Sequence, residues 1–147
     1  MTTTRGPFRF SHRLRVRWAE VDAQGIVFNA HYLTYFDVAA TEYWRAIGCT
    51  YPGAFVDRGI DTFAVKATVE YHAPARFDDE IDLRVRVARL GRTSLRLLLE
   101  LFRGDEHLVS GELIYVVAGA PSRRPTPIPD FIRAAILAYE TTKPELG

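Results

Sequence analysis

An acidic residue precedes an aromatic-rich helical pattern in the stretch AEVDAQGIVFNAHYLTYFD, residues 19–37. Asp22 is followed by Ala23, Gln24 and Gly25, small or flexible residues that let the backbone turn, and Gly25 can adopt a positive φ. A carboxylate here has two interpretations. It can act as a base or nucleophile beside the free amides of a helix N-terminus, or it can only cap the helix or stabilise the turn.

Other reactive side chains lack the partners that catalysis requires. Cys49 is the only cysteine, and no histidine and oxyanion motif surround it, so we do not expect a cysteine nucleophile. The histidines are scattered, without acids or cysteines at ligand intervals, and so predict no metal site: His12, His31, His72 and His107. The sequence contains neither a G-x-S-x-G motif nor a phosphate-binding glycine loop.

The elements on both sides of Asp22 follow different periods. From Phe8 to Trp18 apolar residues alternate with arginines, which predicts a half-buried strand. From Tyr32 to Ile47 apolar and aromatic residues recur every three or four positions and stop at Gly48. This pattern predicts an amphipathic helix of about four to five turns, with Asn29 as its expected N-terminal cap.

Four more strand patterns fill most of the remaining chain. Apolar residues alternate within residues 63–71, 81–87 and 95–101, and a further apolar run covers 108–117. Short links, including a turn at 104–105, predict that the last three strands form an antiparallel meander. Residues 50–61 are expected to form a loop, and the proline-rich residues 120–130 lead to a short closing helix at 131–139.

This order of elements predicts an α+β fold, with an antiparallel sheet of about five strands wrapped around one long central helix. We expect a single domain over residues 1–147, because the chain is too short for two ordinary domains. Some apolar residues occupy strand positions opposite the core set, which suggests a second buried surface and a homo-oligomer. They are Leu98, Phe102, Val109, Leu113, Tyr115 and Val117.

Composition excludes several classes of protein. The net charge of +1 argues against a nucleic-acid partner, because phosphate binding normally requires a basic excess or patch. A single cysteine fits a reducing compartment, so the cytoplasm is the expected location. The N-terminal stretch lacks the apolar run of a signal peptide, and no stretch reaches membrane-spanning length, so neither export nor membrane insertion is expected.

Two stretches together resemble the 4-hydroxybenzoyl-CoA thioesterase family of the hotdog fold, in particular its bacterial short-chain and aromatic acyl-CoA thioesterases. They are RVRWAEVDAQGIVFNAHYLTYFDVAATEYWRAIG and YHAPARFDDEIDLRVRVARLGRTSLRLLLEL. The most specific part is a strand, then D-A-x-G-x-V-x-N/H, then an aromatic-rich helix, supported by the PARFDDE link and the GRTS hairpin. The similarity covers about residues 10–120. It implies the hotdog fold and thioester hydrolysis without a cofactor, CoA being part of the substrate.

The resemblance also implies roles for particular residues. Asp22 would be the nucleophile or the general base for water, and an amide at about Asn29 would polarise the thioester carbonyl. Gly25 would give the loop its turn beside the substrate, and Phe28 and Tyr32 would line the acyl pocket. His31 would contact the acyl group or assist a water, or else be an ordinary surface residue.

Residues far from this motif are implied to bind the CoA moiety. Arg89, Arg92 and Arg124 are candidates for the CoA phosphates, although exposed arginines are most often simply solvated. Thr93 and Ser94 are candidates for the polar groups of pantetheine. The family resemblance places the site between two subunits, with a dimer as the minimum and a tetramer built from dimers as the common assembly.

Substrate and function remain open at this stage. The acyl group would be short-chain, medium-chain or aromatic, carried on CoA or on an acyl-carrier protein. One alternative is a hotdog hydratase or dehydratase, but Val27 stands where one hydratase pattern has histidine. Another is a non-catalytic module that binds acyl-CoA or acyl-carrier protein, which the presence of Asp22 opposes.

Overall fold

The computed structural model describes residues 6–147 as one sheet wrapped around a long helix. Residues 1–5 lie outside the described residues. They are part of the predicted domain and of the N-terminal stretch that lacks the apolar run of a signal peptide. The elements in chain order are β1 (Phe10–Arg15), a 3-10 turn (Trp18–Glu20), α1 (His31–Ala46), a 3-10 turn (Val56–Arg58), β2 (Ile60–Tyr71), β3 (Glu80–Leu90), β4 (Ser94–Arg103), β5 (Glu106–Gly119), α2 (Asp130–Tyr139) and β6 (Glu145–Leu146).

The five long strands are antiparallel and lie in the order β1, β3, β4, β5, β2. The predicted meander of β3, β4 and β5 is therefore confirmed, as is the α+β architecture with one long central helix. Strand β6 has only two residues and pairs in parallel with the end of β3, an addition that the sequence did not predict. Strands β1 and β2 form the two edges of the sheet.

Helix α1 buries most of its predicted apolar stripe against the inner face of the sheet; at the end of the stripe, Ala46 is exposed and Ile47 is only partly buried. Five residues of this stripe are no more than 2 % exposed: Tyr32, Tyr35, Phe36, Ala39 and Tyr43. Complete burial of each large side chain stabilises the fold by roughly 1.5–3 kcal/mol. Beyond the helix, Gly48 adopts a left-handed φ of 84°, which ends the helix as predicted.

One glycine allows the helix to approach the sheet closely. Gly111 lies in the middle of β5, between Leu99 of β4 and Val69 of β2. A Cβ atom at residue 111 would overlap the ring of Phe36, whose side chain is fully buried. The missing side chain therefore provides the space that seats α1 on the sheet.

The inner face of β5 differs from the predicted one. Val109, Leu113 and Val117 are buried in the core, and Tyr115 packs against it, whereas we predicted all four on the opposite face. Both faces of this strand carry apolar residues, so alternation alone does not identify the inner one. Leu98 and Phe102 are only partly buried, at outer-face positions of β4.

Trp18 also departs from its predicted place on the buried side of the first strand. Strand β1 ends at Arg15, and the chain then enters a 3-10 turn that leaves Trp18 74 % exposed. Its ring packs edge to face on Phe77 at 5.0 Å between centroids. Within residues 6–147, neither helix has the length and apolar character needed to span a membrane.

A buried acid joins the end of α2 to the core. Glu140 is 1 % exposed, and its Oε2 atom accepts hydrogen bonds from the Tyr43 hydroxyl at 2.6 Å and from Val87 N–H at 3.0 Å. Within residues 6–147 its Oε1 atom has no hydrogen-bond partner. Burial raises the pKa of Glu140 above its ordinary value, although both hydrogen bonds and the charges of Arg86 and Arg9 oppose this effect.

Candidate active site

A cleft of about 320 Å³ lies where the loop before α1 meets the end of β2. Its floor and walls are largely apolar, and two of its polar side chains are the predicted Asp22 and Asn29. The lining residues are Asp22, Gln24, Ile26, Val27, Asn29, Tyr32, Tyr71, His72, Ala73 and Pro74. The structure thus brings the two predicted catalytic positions to one cavity.

Asp22 begins a tight turn that is fixed by its own hydrogen bonds. Asp22 N–H donates to Ile26 O at 2.9 Å, and Gly25 N–H donates to Asp22 O at 3.0 Å. The Asp22 Oδ1 atom accepts from Gln24 N–H at 2.8 Å, an Asx turn. Gly25 has the predicted positive φ, 77°. Because these bonds use only one carboxylate oxygen, Oδ2 is available to a substrate or a water.

Free backbone donors lie just before the start of α1, where Asn29 lines the same cleft. The helix begins at His31 with Ala30 at the cap position, and no side chain caps it. The prediction that Asn29 caps the helix is therefore wrong. No hydrogen bond within residues 6–147 occupies the N–H groups of Asn29 and Ala30. Free donors at the positive end of a helix dipole favour a negatively charged oxygen atom.

Ala75 ties the loop, the helix and the sheet together. It lies in the link between β2 and β3 and is fully buried. Its carbonyl oxygen accepts from Val27 N–H at 2.8 Å, and its own N–H donates to the Tyr32 hydroxyl at 3.2 Å. The Asp22 loop and the start of α1 are therefore held on one rigid support.

Glu20 supports the other side of the loop. Glu20 is 6 % exposed and accepts hydrogen bonds from the Tyr35 hydroxyl at 2.9 Å and Arg17 N–H at 2.7 Å. Burial alone would raise the pKa of Glu20, but these hydrogen bonds and the Arg17 guanidinium outweigh it and hold that pKa below its usual range. Its carbonyl oxygen accepts from Phe28 N–H at 2.9 Å, which fixes the chain entering α1.

Of the other predicted residues of the motif, one lines the cleft and three do not. Tyr32 forms a buried wall of the cleft, and burial raises the pKa of its phenol. Phe28 and His31 do not line the cleft; their rings contact each other edge to face at 5.8 Å. Gly25 shapes the turn without lining the cavity. Within residues 6–147, no group of three or more potential ligand side chains is arranged to bind a metal ion.

The predicted CoA-binding residues lie at the opposite end of the sheet. Arg15 pairs with Glu80, so the Asp22 loop lies near the start of β3, whereas the hairpin of Arg92, Thr93 and Ser94 follows the end of β3. The 11 residues of β3 span about 33 Å, at roughly 3.3 Å from each residue to the next. A single chain therefore does not bring Arg89, Arg92, Thr93 or Ser94 to its own Asp22.

The sequence prediction missed Tyr71 and His72, which border the cleft from the end of β2. The Tyr71 hydroxyl donates to Asn29 O at 3.0 Å, and the Tyr71 ring packs on Tyr32 at 5.6 Å between centroids. His72 turns its Nε2 atom toward Ser110 Oγ, 2.9 Å away. The only available signal was their place just before the PARFDDE link, since both contacts join residues distant in sequence.

A family model and several known proteins match this chain. The family model described as the thioesterase superfamily matches residues 24–110, which include Asn29 and begin two residues after Asp22. The acyl-CoA thioester hydrolase YbgC of Escherichia coli O157:H7 is 29 % identical over 126 residues, covering 85 % of this chain and 93 % of that protein.

Two solved structures extend the comparison to the fold. The PA5185 protein of Pseudomonas aeruginosa PAO1 superposes with a TM-score of 0.83 at 28 % identity, covering 95 % of this chain and 96 % of that one. The gentisyl-coenzyme A thioesterase BH1999 gives a TM-score of 0.78 at 27 % identity, covering 86 % and 98 %. The chain therefore belongs to the thioesterase superfamily, and the prediction of a hotdog-fold thioester hydrolase is confirmed.

Proposed function

We propose that this protein hydrolyses acyl-CoA thioesters in the cleft between Asp22 and the start of α1. The observation that carries the proposal is that a carboxylate with a free oxygen and the uncapped end of a helix face the same cavity. Asp22 attacks the thioester carbonyl or removes a proton from the attacking water. The free N–H groups near Asn29 stabilise the negative charge that develops on the carbonyl oxygen.

The cleft walls suit an acyl group with an apolar body. Ile26, Val27, Tyr32, Tyr71 and Pro74 provide aliphatic and aromatic surface beside the two polar positions. Among the relatives, BH1999 is named for gentisyl-coenzyme A and YbgC for acyl-CoA. These names support CoA as the carrier and leave short-chain, medium-chain and aromatic acyl groups as candidates.

We also propose that the active form is a homo-oligomer in which a second copy completes the site. Strand β2 is a 12-residue edge strand, and its central residues 64–68 are exposed on both faces. Ala67 faces inward, opposite Leu113, yet remains exposed because α1 does not cover this edge. A long uncovered edge presents unpaired backbone groups to another chain. Arg89, Arg92, Arg124, Thr93 and Ser94 would then bind the CoA of the partner's site.

The two alternative functions are less well supported. One hydratase pattern has a histidine at residue 27, but Val27 is apolar and 2 % exposed. A binding module without catalysis would have no need for the free oxygen of Asp22 beside the helix donors. Release of free thiol from acyl-CoA distinguishes hydrolysis from binding alone.

The test is release of free thiol from acetyl-, hexanoyl-, lauroyl-, benzoyl- and 4-hydroxybenzoyl-CoA, with the wild type and Asp22→Asn compared. The asparagine side chain keeps an Oδ1 acceptor for Gln24 N–H, so the turn should survive. We expect turnover of the best substrate to fall at least ~10²-fold, as for loss of a general base. Asp57→Asn, which changes an exposed carboxylate outside the cleft, is the matched control. An Asp22→Asn enzyme as active as that control would refute the assignment.

A further inference from the structure

The hydroxyl of Tyr71 contacts the backbone just before α1. Tyr71 is the last residue of β2, and its hydroxyl donates a hydrogen bond to the carbonyl oxygen of Asn29 at 3.0 Å. The two residues are 42 positions apart in sequence. Tyr71 therefore joins the end of the sheet to the backbone that precedes α1.

The accepting carbonyl belongs to the peptide unit that also contains Ala30 N–H. A trans peptide is planar, with its C=O and N–H pointing in opposite directions, so holding the oxygen atom fixes the direction of the N–H. Hydrogen bonding to a carbonyl also polarises the unit and strengthens its N–H as a donor. Residues 6–147 provide no acceptor for Ala30 N–H or for the neighbouring N–H of Asn29, and Asn29 lines the cleft.

The phenol is held on a rigid base. Tyr71 pairs with Val109 in the sheet, and the next two residues, His72 and Ala73, both donate their N–H groups to Leu108 O, at 2.8 and 3.1 Å. The Tyr71 ring lies edge to face on the buried Tyr32. The hydroxyl is thus directed from a fixed strand end, although about half of the Tyr71 surface, 54 %, is exposed.

We propose that Tyr71 is a positioning residue that orients and polarises the peptide between Asn29 and Ala30, so that Ala30 N–H joins Asn29 N–H in binding the oxyanion. This inference rests on the proposed function. A donor that is fixed in advance requires no reorganisation when charge develops in the transition state, so its contribution appears in kcat and not in substrate binding.

The first test is the steady-state kinetics of Tyr71→Phe with the best acyl-CoA of the panel. Phenylalanine keeps the ring contact with Tyr32 and removes only the hydroxyl. We expect kcat to fall about three- to tenfold, the effect of one neutral hydrogen bond, with KM unchanged within about twofold. The control is Tyr51→Phe, which removes a similarly exposed hydroxyl bonded to Asp61 at 3.2 Å, outside the cleft. It should retain wild-type kcat.

The second test measures directly how strongly the thioester carbonyl of the bound substrate is hydrogen-bonded. In the Asp22→Asn background, a substrate labelled with ¹³C at the thioester carbonyl is observed bound to the enzyme by isotope-edited infrared spectroscopy. Adding Tyr71→Phe should move the C=O stretch to higher frequency, because the oxygen accepts weaker hydrogen bonds. A general loss of stability would not produce this shift.

The outcomes separate the two hypotheses. If the wild type shows no Asp22-dependent hydrolysis, the proposed function fails and this inference fails with it. If the wild type hydrolyses the substrate but Tyr71→Phe has the same kcat, only the role of Tyr71 is refuted. A lower kcat with a raised KM and an unchanged carbonyl frequency also refutes it.

Discussion

Replacing Gly111 by alanine tests how α1 is seated on the sheet. The added Cβ atom would overlap the ring of Phe36, which is fully buried on α1 and has no space to withdraw. The backbone of Gly111 is not in the left-handed region, so alanine brings no conformational strain of its own. Any loss of stability must therefore come from the contact with Phe36.

The expected size follows from two opposing effects. In a strand without this contact, alanine would be more stable than glycine by roughly 0.5–1 kcal/mol, because it loses less backbone freedom on folding. Overpacking a tight core costs about 1–3 kcal/mol. We therefore expect Gly111→Ala to lower the free energy of unfolding by about 1–2 kcal/mol, equivalent to about 2–8 °C in Tm.

A double-mutant cycle with Phe36→Leu supplies the control. Urea unfolding followed by circular dichroism is measured for the wild type, both single variants and the double variant. With the ring removed, Gly111→Ala should become neutral or stabilising, which gives a coupling of about 1 kcal/mol or more. If Gly111→Ala is equally destabilising with Phe and with Leu at residue 36, the seating of α1 on Gly111 is refuted.

Two further predictions concern the buried acid and the exposed edge strand. Because burial raises the pKa of Glu140 above its unfolded value of about 4.5, wild-type stability is greatest below that pH and falls as pH rises toward the folded pKa. Glu140→Gln cannot ionise, so its Tm relative to the wild type should be higher at pH 8 than at pH 4; an equal difference at both pH values would contradict a buried ionisable group. Light scattering on the wild type should give a mass at least twice the 16.7 kDa of one chain, and a monomer at micromolar concentration would exclude the proposed shared site.

The sequence predicted the elements well because their periods are clear. The stripe on α1, the stop at Gly48 and the meander of three strands all depend on local patterns, and they are confirmed except for Ala46, which is exposed. The local turn at Asp22 and Gly25 was likewise predictable from the sequence, since a flexible residue near an acid favours a turn.

The sequence predictions failed where contacts between residues distant in sequence determine the structure. The burial of Glu20 was not predicted, because its partner Tyr35 lies 15 residues away, on the buried face of α1. The inner face of β5 was assigned wrongly because Gly111 has no apolar side chain to mark it, although its close contact with Phe36 defines that face. Tyr71 was missed because its contact with Asn29 exists only once β2 is placed beside the start of α1.

The uncapped start of α1 has a thermodynamic consequence. A side-chain cap stabilises a helix by about 1 kcal/mol, and Ala30 forgoes this contribution. A ligand that places a negatively charged oxygen at these amides supplies the missing acceptor, so it stabilises the native state by an amount that grows with the logarithm of its concentration once this exceeds its Kd. A residue that capped the helix from within would strengthen the fold and compete with the ligand for the same N–H groups. Stability given up at this helix end is therefore recovered only when the cleft is occupied.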